Sequence, residues 1–99
     1  MANYFLTNKA VEDLTKIWDY TYEVWSESQA DKYYSLLIDT CQVIARSTNI
    51  GKNYDEIAKE IKGFKVGKHI IFYRKTKSEE IEIVRILHEK MDLKNKIDE

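Results

Sequence analysis

Apolar positions in the first half of the chain recur at spacings of three and four, which indicates helices. Thr7 or Asn8 can cap a first helix, and Glu12 with Asp13 suit its positive end. Its apolar face would carry Val11, Leu14, Trp18, Thr21, Tyr22 and Trp25. A break at residues 26–28 predicts a second helix, capped by Ser28 in a variant of the capping box, with the apolar face Ala30, Tyr33, Tyr34, Leu37, Ile38, Cys41, Ile44 and Ala45.

The short link between these helices predicts an antiparallel helical hairpin. Helical spacing explains both tryptophans and the tyrosines of the hairpin, so we interpret them as packing residues. Cys41 lies on the same stripe and is interpreted as a small buried apolar residue.

The second half of the chain changes to segments rich in β-branched and aromatic residues, which predict strands. Three such segments follow one another: IKGFKV, KHIIFYRK and EEIEIVRILH. Gly67 with Lys68 forms the first turn between them, and residues 75–78 form the second. Short links require antiparallel neighbours. A strand at residues 3–6 would join this meander, whereas residues 54–61 fit either a helical turn or a loop.

The last predicted strand has apolar residues on both sides. Strict alternation would place Ile81, Ile83 and Arg85 on one side, opposite Glu82, Val84 and Ile86. Such a strand is typical of the interior of a sheet. A polar cluster, residues 88–92, follows its end, and we expect function to lie there.

These elements predict an α+β fold, with an N-terminal antiparallel helical hairpin packed on a three- to four-stranded antiparallel sheet. The 99 residues suit one domain, 1–99, and 43% hydrophobic with 33% charged residues is ordinary for a soluble protein. No apolar run reaches the ~20 residues of a membrane span, and Met1–Lys9 does not resemble a signal peptide. With a single cysteine, we expect a cytoplasmic protein that needs no metal or other cofactor.

Charge is segregated although the net charge is only −1. Residues 12–31 hold six acids and one lysine, whereas residues 62–77 hold six bases and no acid. This pattern predicts a positive face for nucleic acid or an acidic protein, and solvated lysines at a sheet edge explain it equally well.

Three stretches together resemble the ParE toxins of the RelE/ParE superfamily of type II toxin–antitoxin modules. They are LTNKAVEDLTKIWDYTYEVWSESQADKYYSLL, GKHIIFYR and IEIVRILHEKMD. The resemblance implies the same fold, a ParD-like antitoxin whose flexible C-terminal part wraps the toxin, and poisoning of DNA gyrase. It implies no membrane contact, and contact with nucleic acid only through complexes. Ser26 and Thr48 depart from the glycine and proline common in the family.

For a binding toxin without chemistry of its own, we expect exposed anchor residues near the end of the last strand. The candidate partner-binding residues are Tyr73, Arg74, Arg85, His88, Met91 and Leu93. No catalytic and no metal-binding residue is assigned.

Two alternatives remain open from the sequence. A RelE-like ribosome-dependent mRNA endoribonuclease would use Arg74, Arg85, His69 and His88 as acid, base and phosphate ligands. However, Met91 and Asp92 stand where RelE-like proteins place a tyrosine and basic residues. Alternatively, Arg85 is structural and pairs with an internal carboxylate such as Asp92.

Overall fold

The computed structural model describes residues 3–97. Its elements are β1 Tyr4–Leu6, α1 Asn8–Val24, α2 Glu27–Arg46, β2 Lys52–Asn53, β3 Lys62–Val66, β4 His69–Lys75, β5 Ile81–His88 and α3 Leu93–Ile97. The α1–α2 hairpin packs on a sheet of order β1-β5-β4-β3-β2. The predicted α+β fold is confirmed. Within these residues, the sheet has five strands rather than three or four. The additional strand, β2, was not predicted because its two residues carry no apolar pattern.

The edge strand β1 runs parallel to β5, and the other pairs of strands are antiparallel. β5 therefore lies inside the sheet, as its apolar sides predicted. The strict alternation was wrong beyond Val84, because the register with β4 shifts at that residue: Phe72 faces Arg85, while Tyr73 faces Ile83. Val84 is the extra residue of a β-bulge, which reverses the sides of all later residues.

Both faces of the sheet are covered by apolar side chains. Under the helical hairpin, Leu14, Leu37 and Ile44 pack with strand residues that include Ile71, Tyr73, Ile83 and Ile86. On the opposite face, Ile61, Ile70, Phe72, Val84 and Leu87 form a second cluster, which Tyr54, Ala58, Leu93 and Ile97 cover. Cys41 is fully buried under the hairpin, as predicted, and burial raises the pKa of its thiol to about 12.

The helix caps agree only partly with prediction. Thr7 caps α1, and its hydroxyl accepts a hydrogen bond from the Ala10 amide at 3.0 Å. α2 is capped by Ser26, whose hydroxyl accepts from the Gln29 amide, so the prediction of Ser28 was wrong. Ser26, which stands where glycine is common in the family that the chain resembles, is thus a favourable N-cap residue. Because α1 begins at Asn8, Glu12 and Asp13 lie beyond its first turn.

Most aromatic residues of the hairpin are exposed, which contradicts their predicted packing role, whereas Tyr33 packs against the core as predicted. Trp25 is 73% exposed and Tyr20 67%, and Tyr22 and Tyr34 are also exposed. In α1 only Ala10, Asp13 and Leu14 are buried, so the second half of the helix contributes no buried residue. The predicted face was wrong for α1 apart from Leu14, whereas α2 buries the predicted residues Ala30, Leu37, Cys41, Ile44 and Ala45.

Candidate binding groove

An open groove of about 960 Å³ lies between the helical hairpin and the exit of β5. Both helices, the turn that joins them, the β3–β4 turn and the segment after β5 contribute to it. Its apolar residues are Ile17, Tyr20, Trp25, Tyr33, Ile86 and Met91. Its polar residues are Asp13, Lys16, Thr21, Gln29, Lys68, His69, His88 and Lys90.

Large side chains stand exposed along this groove. Tyr20 and Trp25 come from the end of α1, and Met91, 45% exposed, faces the same space from the segment after β5. Exposed aromatic and methionine side chains in a concave site are the residue types that anchor protein partners. The groove is therefore suited to an apolar segment of another chain.

Two histidines lie side by side in the groove. His69 begins β4 and faces His88 at the end of β5, with ring centroids 5.3 Å apart. The His69 Nδ1 atom lies 2.6 Å from the Tyr33 hydroxyl, and the His88 Nδ1 atom accepts a hydrogen bond from the Lys90 amide. Burial, and next the proximity of His88, lower the pKa of His69 to about 4. His69 is therefore neutral at physiological pH.

Asp13, which lines the groove, belongs to a buried ion pair with Arg85. The Asp13 carboxylate accepts from Arg85 Nε at 2.7 Å and from Arg85 Nη2 at 2.9 Å, and also from the Ile86 amide at 3.0 Å. Arg85 Nη1 donates to the Lys96 carbonyl of α3. Arg85 thus joins α1 to α3 across β5. This geometry agrees with the alternative in which Arg85 is structural, but its partner is Asp13 and not Asp92, which accepts hydrogen bonds from Asn95.

Of the six predicted contact residues, only His88 and Met91 line the groove. Arg85 is 7% exposed, and Tyr73 is 1% exposed with its hydroxyl bonded to the Thr48 carbonyl. Arg74 forms an ion pair with Glu82, and Leu93 packs into the second apolar cluster. Tyr20 and Trp25 were missed as site residues, although the density of aromatic residues at the end of α1 was a visible signal.

The predicted basic face is interrupted by acids. Lys65 pairs with Glu89 at 3.2 Å, and Lys75 pairs with Glu79 at 3.6 Å. Together with Arg74, half of the six bases therefore have a carboxylate partner. The groove itself has a clearer charge. Lys16, Lys68 and Lys90 line it, and among residues 3–97 the one carboxylate in its lining, Asp13, is paired with Arg85.

Within residues 3–97, no helix combines the length and apolar character needed to cross a membrane. The same residues contain no group of three or more His, Cys, Asp or Glu side chains placed to hold a metal ion.

Solved structures with the same architecture identify the class of the fold. A chain of the chromosomal ParDE toxin–antitoxin system from P. aeruginosa matches with a TM-score of 0.75 and 21% identity, covering 89% of this chain and 96% of that chain. A chain of the toxin–antitoxin complex RelBE2 from Mycobacterium tuberculosis matches with a TM-score of 0.68 and 16% identity, covering 88% and 96%. The fold is the α+β fold of RelE/ParE toxins.

The chain belongs to the ParE toxin family, because the model for the "ParE toxin of type II toxin-antitoxin system, parDE" matches residues 4–93. It is 36% identical over 92 residues to Toxin ParE1 of Mycobacterium tuberculosis and 32% identical to Toxin ParE1 of Caulobacter vibrioides. Both alignments cover 93% of this chain and 94% of the relative. Toxin ParE of Escherichia coli is 29% identical over 97 residues. The resemblance carried by the sequence motifs is confirmed.

Proposed function

We propose that this chain is a bacterial toxin that acts in the cytoplasm by binding a protein target, and that a ParD-like antitoxin neutralises it. The observation that carries the proposal is the open groove with exposed Tyr20, Trp25 and Met91. It offers anchors for a partner. The two arginines that a phosphate chemistry would use, Arg74 and Arg85, are each paired with a carboxylate.

The antitoxin segment proposed for this groove is amphipathic and acidic. Its apolar side chains would pack on the aromatic anchors, in the manner of a helix or an extended peptide laid in a groove. Its carboxylates would meet Lys16, Lys68 and Lys90, which raises the rate of encounter and fixes the register of the segment. The structural relative from P. aeruginosa likewise comes from a chromosomal ParDE toxin–antitoxin system.

DNA gyrase is the proposed target. Support comes from membership of the ParE family and from relatives named ParE, which align with this chain over nearly their whole length. The proposed action requires only binding, so no catalytic residue is assigned.

A ribonuclease is the second candidate, and the neighbouring His69 and His88 favour it, since paired histidines can serve as acid and base. Two observations weigh against it. The lowered pKa of His69 makes that ring a weak base at neutral pH, and Arg85 lies buried against Asp13. The binding toxin therefore fits the geometry better.

Purified toxin should inhibit supercoiling by gyrase and should not cleave mRNA on ribosomes. Cleavage that is lost in a His69→Asn variant would establish the ribonuclease instead. If micromolar toxin neither inhibits supercoiling nor cleaves mRNA, gyrase is not the target.

The groove is tested separately, by titrating toxin with the protein encoded by the adjoining reading frame. We expect a Tyr20→Ala/Trp25→Ala variant to lose at least about tenfold in affinity, because both aromatic anchors are removed. The matched control, Tyr34→Ala/Val43→Ala, removes exposed apolar residues of α2 that lie outside the groove. Equal affinity of both variants would show that the antitoxin binds elsewhere.

A further inference from the structure

We infer that His69 and His88 act as one acceptor–donor pair that selects a neutral polar side chain, a hydroxyl or a primary amide, in the segment bound to the groove. The inference rests on the proposed function, since it specifies the chemistry of the antitoxin residue at this end of the groove. Both rings line the groove, and they are direct cross-strand partners with their centroids 5.3 Å apart. They are close enough to contact one small group together.

The hydrogen bonds of Tyr33 are the basis on which the proton of His69 is assigned to one ring nitrogen. The Tyr33 hydroxyl donates its single proton to the Val66 carbonyl at 3.2 Å and accepts from the Lys68 amide at 3.2 Å. With the hydroxyl proton assigned to the Val66 carbonyl, which can only accept, the 2.6 Å contact is made by the Nδ1–H of His69, which donates. The lone pair of a neutral His69 then lies on Nε2, and the lowered pKa keeps the ring neutral.

His88 has the opposite tautomer. Its Nδ1 atom accepts a hydrogen bond from the Lys90 amide at 3.1 Å, so the proton of a neutral ring is on Nε2. No hydrogen bond joins the Nε2 atom of either histidine to another atom of residues 3–97. The pair thus offers one acceptor and one donor.

This arrangement discriminates between possible ligand groups. A hydroxyl or a primary amide both donates and accepts, so it satisfies the two Nε2 atoms together. A carboxylate would need a second donor and would have to protonate a half-buried ring. A metal ion would need two lone pairs, but the bond from Lys90 leaves a proton on Nε2 of His88.

The tautomers are tested first on toxin alone, by long-range ¹H–¹⁵N NMR of the imidazole nitrogens at pH 7. We expect the proton on Nδ1 in His69 and on Nε2 in His88. The same tautomer in both rings would overturn the inference.

Binding is tested with His69→Asn and His88→Asn. Asparagine keeps a donor or acceptor near the Nδ1 position, for Tyr33 or for Lys90, and removes the Nε2 position. We expect each variant to fold and to bind the protein of the adjoining reading frame about 3- to 10-fold more weakly, the effect of one neutral hydrogen bond. An alanine scan of that protein should find one Ser, Thr, Asn or Gln whose effect is not additive with His88→Asn.

The outcomes separate the two proposals. If Tyr20→Ala/Trp25→Ala weakens binding while both histidine variants bind like the unaltered toxin, the inference fails and the proposed groove stands. If the coupled residue of the antitoxin is acidic or basic, the inference also fails. If the aromatic variant binds with unaltered affinity, the proposed groove itself is wrong.

Discussion

Arg85 illustrates how a residue that attracts functional hypotheses can be part of the scaffold. Its guanidinium and the Ile86 amide together give the Asp13 carboxylate three donors, in a site where both side chains are less than 10% exposed. Breaking a buried pair leaves the remaining charge without compensation, which costs much more than breaking a surface pair. If a substitution of Arg85 abolishes activity, loss of the folded structure therefore explains it before a role in chemistry does.

Replacing Arg85 by alanine should lower the free energy of unfolding by about 3–5 kcal/mol, measured by urea denaturation. The matched control is Arg74→Ala, which breaks the exposed pair with Glu82 and should cost no more than about 1 kcal/mol. If Arg85→Ala does not fold, Arg85→Lys, which keeps the charge but not the paired donors, should fold with an intermediate loss. Equal losses for the two alanine variants would contradict the structural role.

His69 should make the stability of the toxin depend on pH. In the unfolded chain its pKa is near the ordinary 6.5, and in the folded chain it is about 4, chiefly through burial. Above pH 6.5 the ring is neutral in both states. Between pH 6.5 and 4 the unfolded chain binds a proton that the folded chain does not, so the free energy of unfolding falls as pH falls.

Across that interval the loss should be about 1–3 kcal/mol, the upper limit being the full shift converted to energy. Urea denaturation at pH 7.5, 6 and 5 measures it. The neighbours His88, Glu89, Asp13 and Tyr33 remain in a His69→Asn variant, so only the contribution of His69 should disappear. Parallel curves for the two proteins would show that His69 is not responsible.

At the scale of elements, the sequence predicted what depends on local pattern and missed what depends on tertiary contacts. The helical hairpin and the strands β3 to β5 follow from periodicity and turn residues, and the structure contains them. The bulge at Val84 leaves no local mark, because it is defined by the register with β4. Similarly, spacing identified the face of α2 that meets the sheet but not that of α1, where Tyr22 and Trp25 of the predicted face are exposed.

Only part of the candidate site could be predicted from the sequence, again because local pattern does not reveal tertiary contacts. His88 and Met91 follow the end of a buried strand, where a polar exit is conspicuous in sequence. Their partners in the groove lie on α1, far away in the chain, and only the packing of the hairpin on β5 brings them together. Arg85 and Tyr73 were assigned to the surface because an isolated polar group in a strand does not reveal its buried partner.

For the whole molecule, the two faces of the sheet have separate tasks. The hairpin face carries the groove, whereas the opposite face is closed by residues 54–61 and α3 around the second apolar cluster. The segment after β5 contributes to both faces within three residues: Met91 lines the groove, and Leu93 packs into the second apolar cluster. This division allows stability and binding to be separated experimentally.

Met91→Ala should leave the free energy of unfolding within about 0.5 kcal/mol, because the side chain is exposed, and should weaken antitoxin binding. Leu93→Ala should lower the free energy of unfolding by about 1–3 kcal/mol, because it removes a partly buried side chain, and leave the affinity unchanged. Urea denaturation and calorimetric titration of the same two proteins measure both quantities. The reverse pattern would place the partner on the α3 face, and the groove under the hairpin would then lose its role.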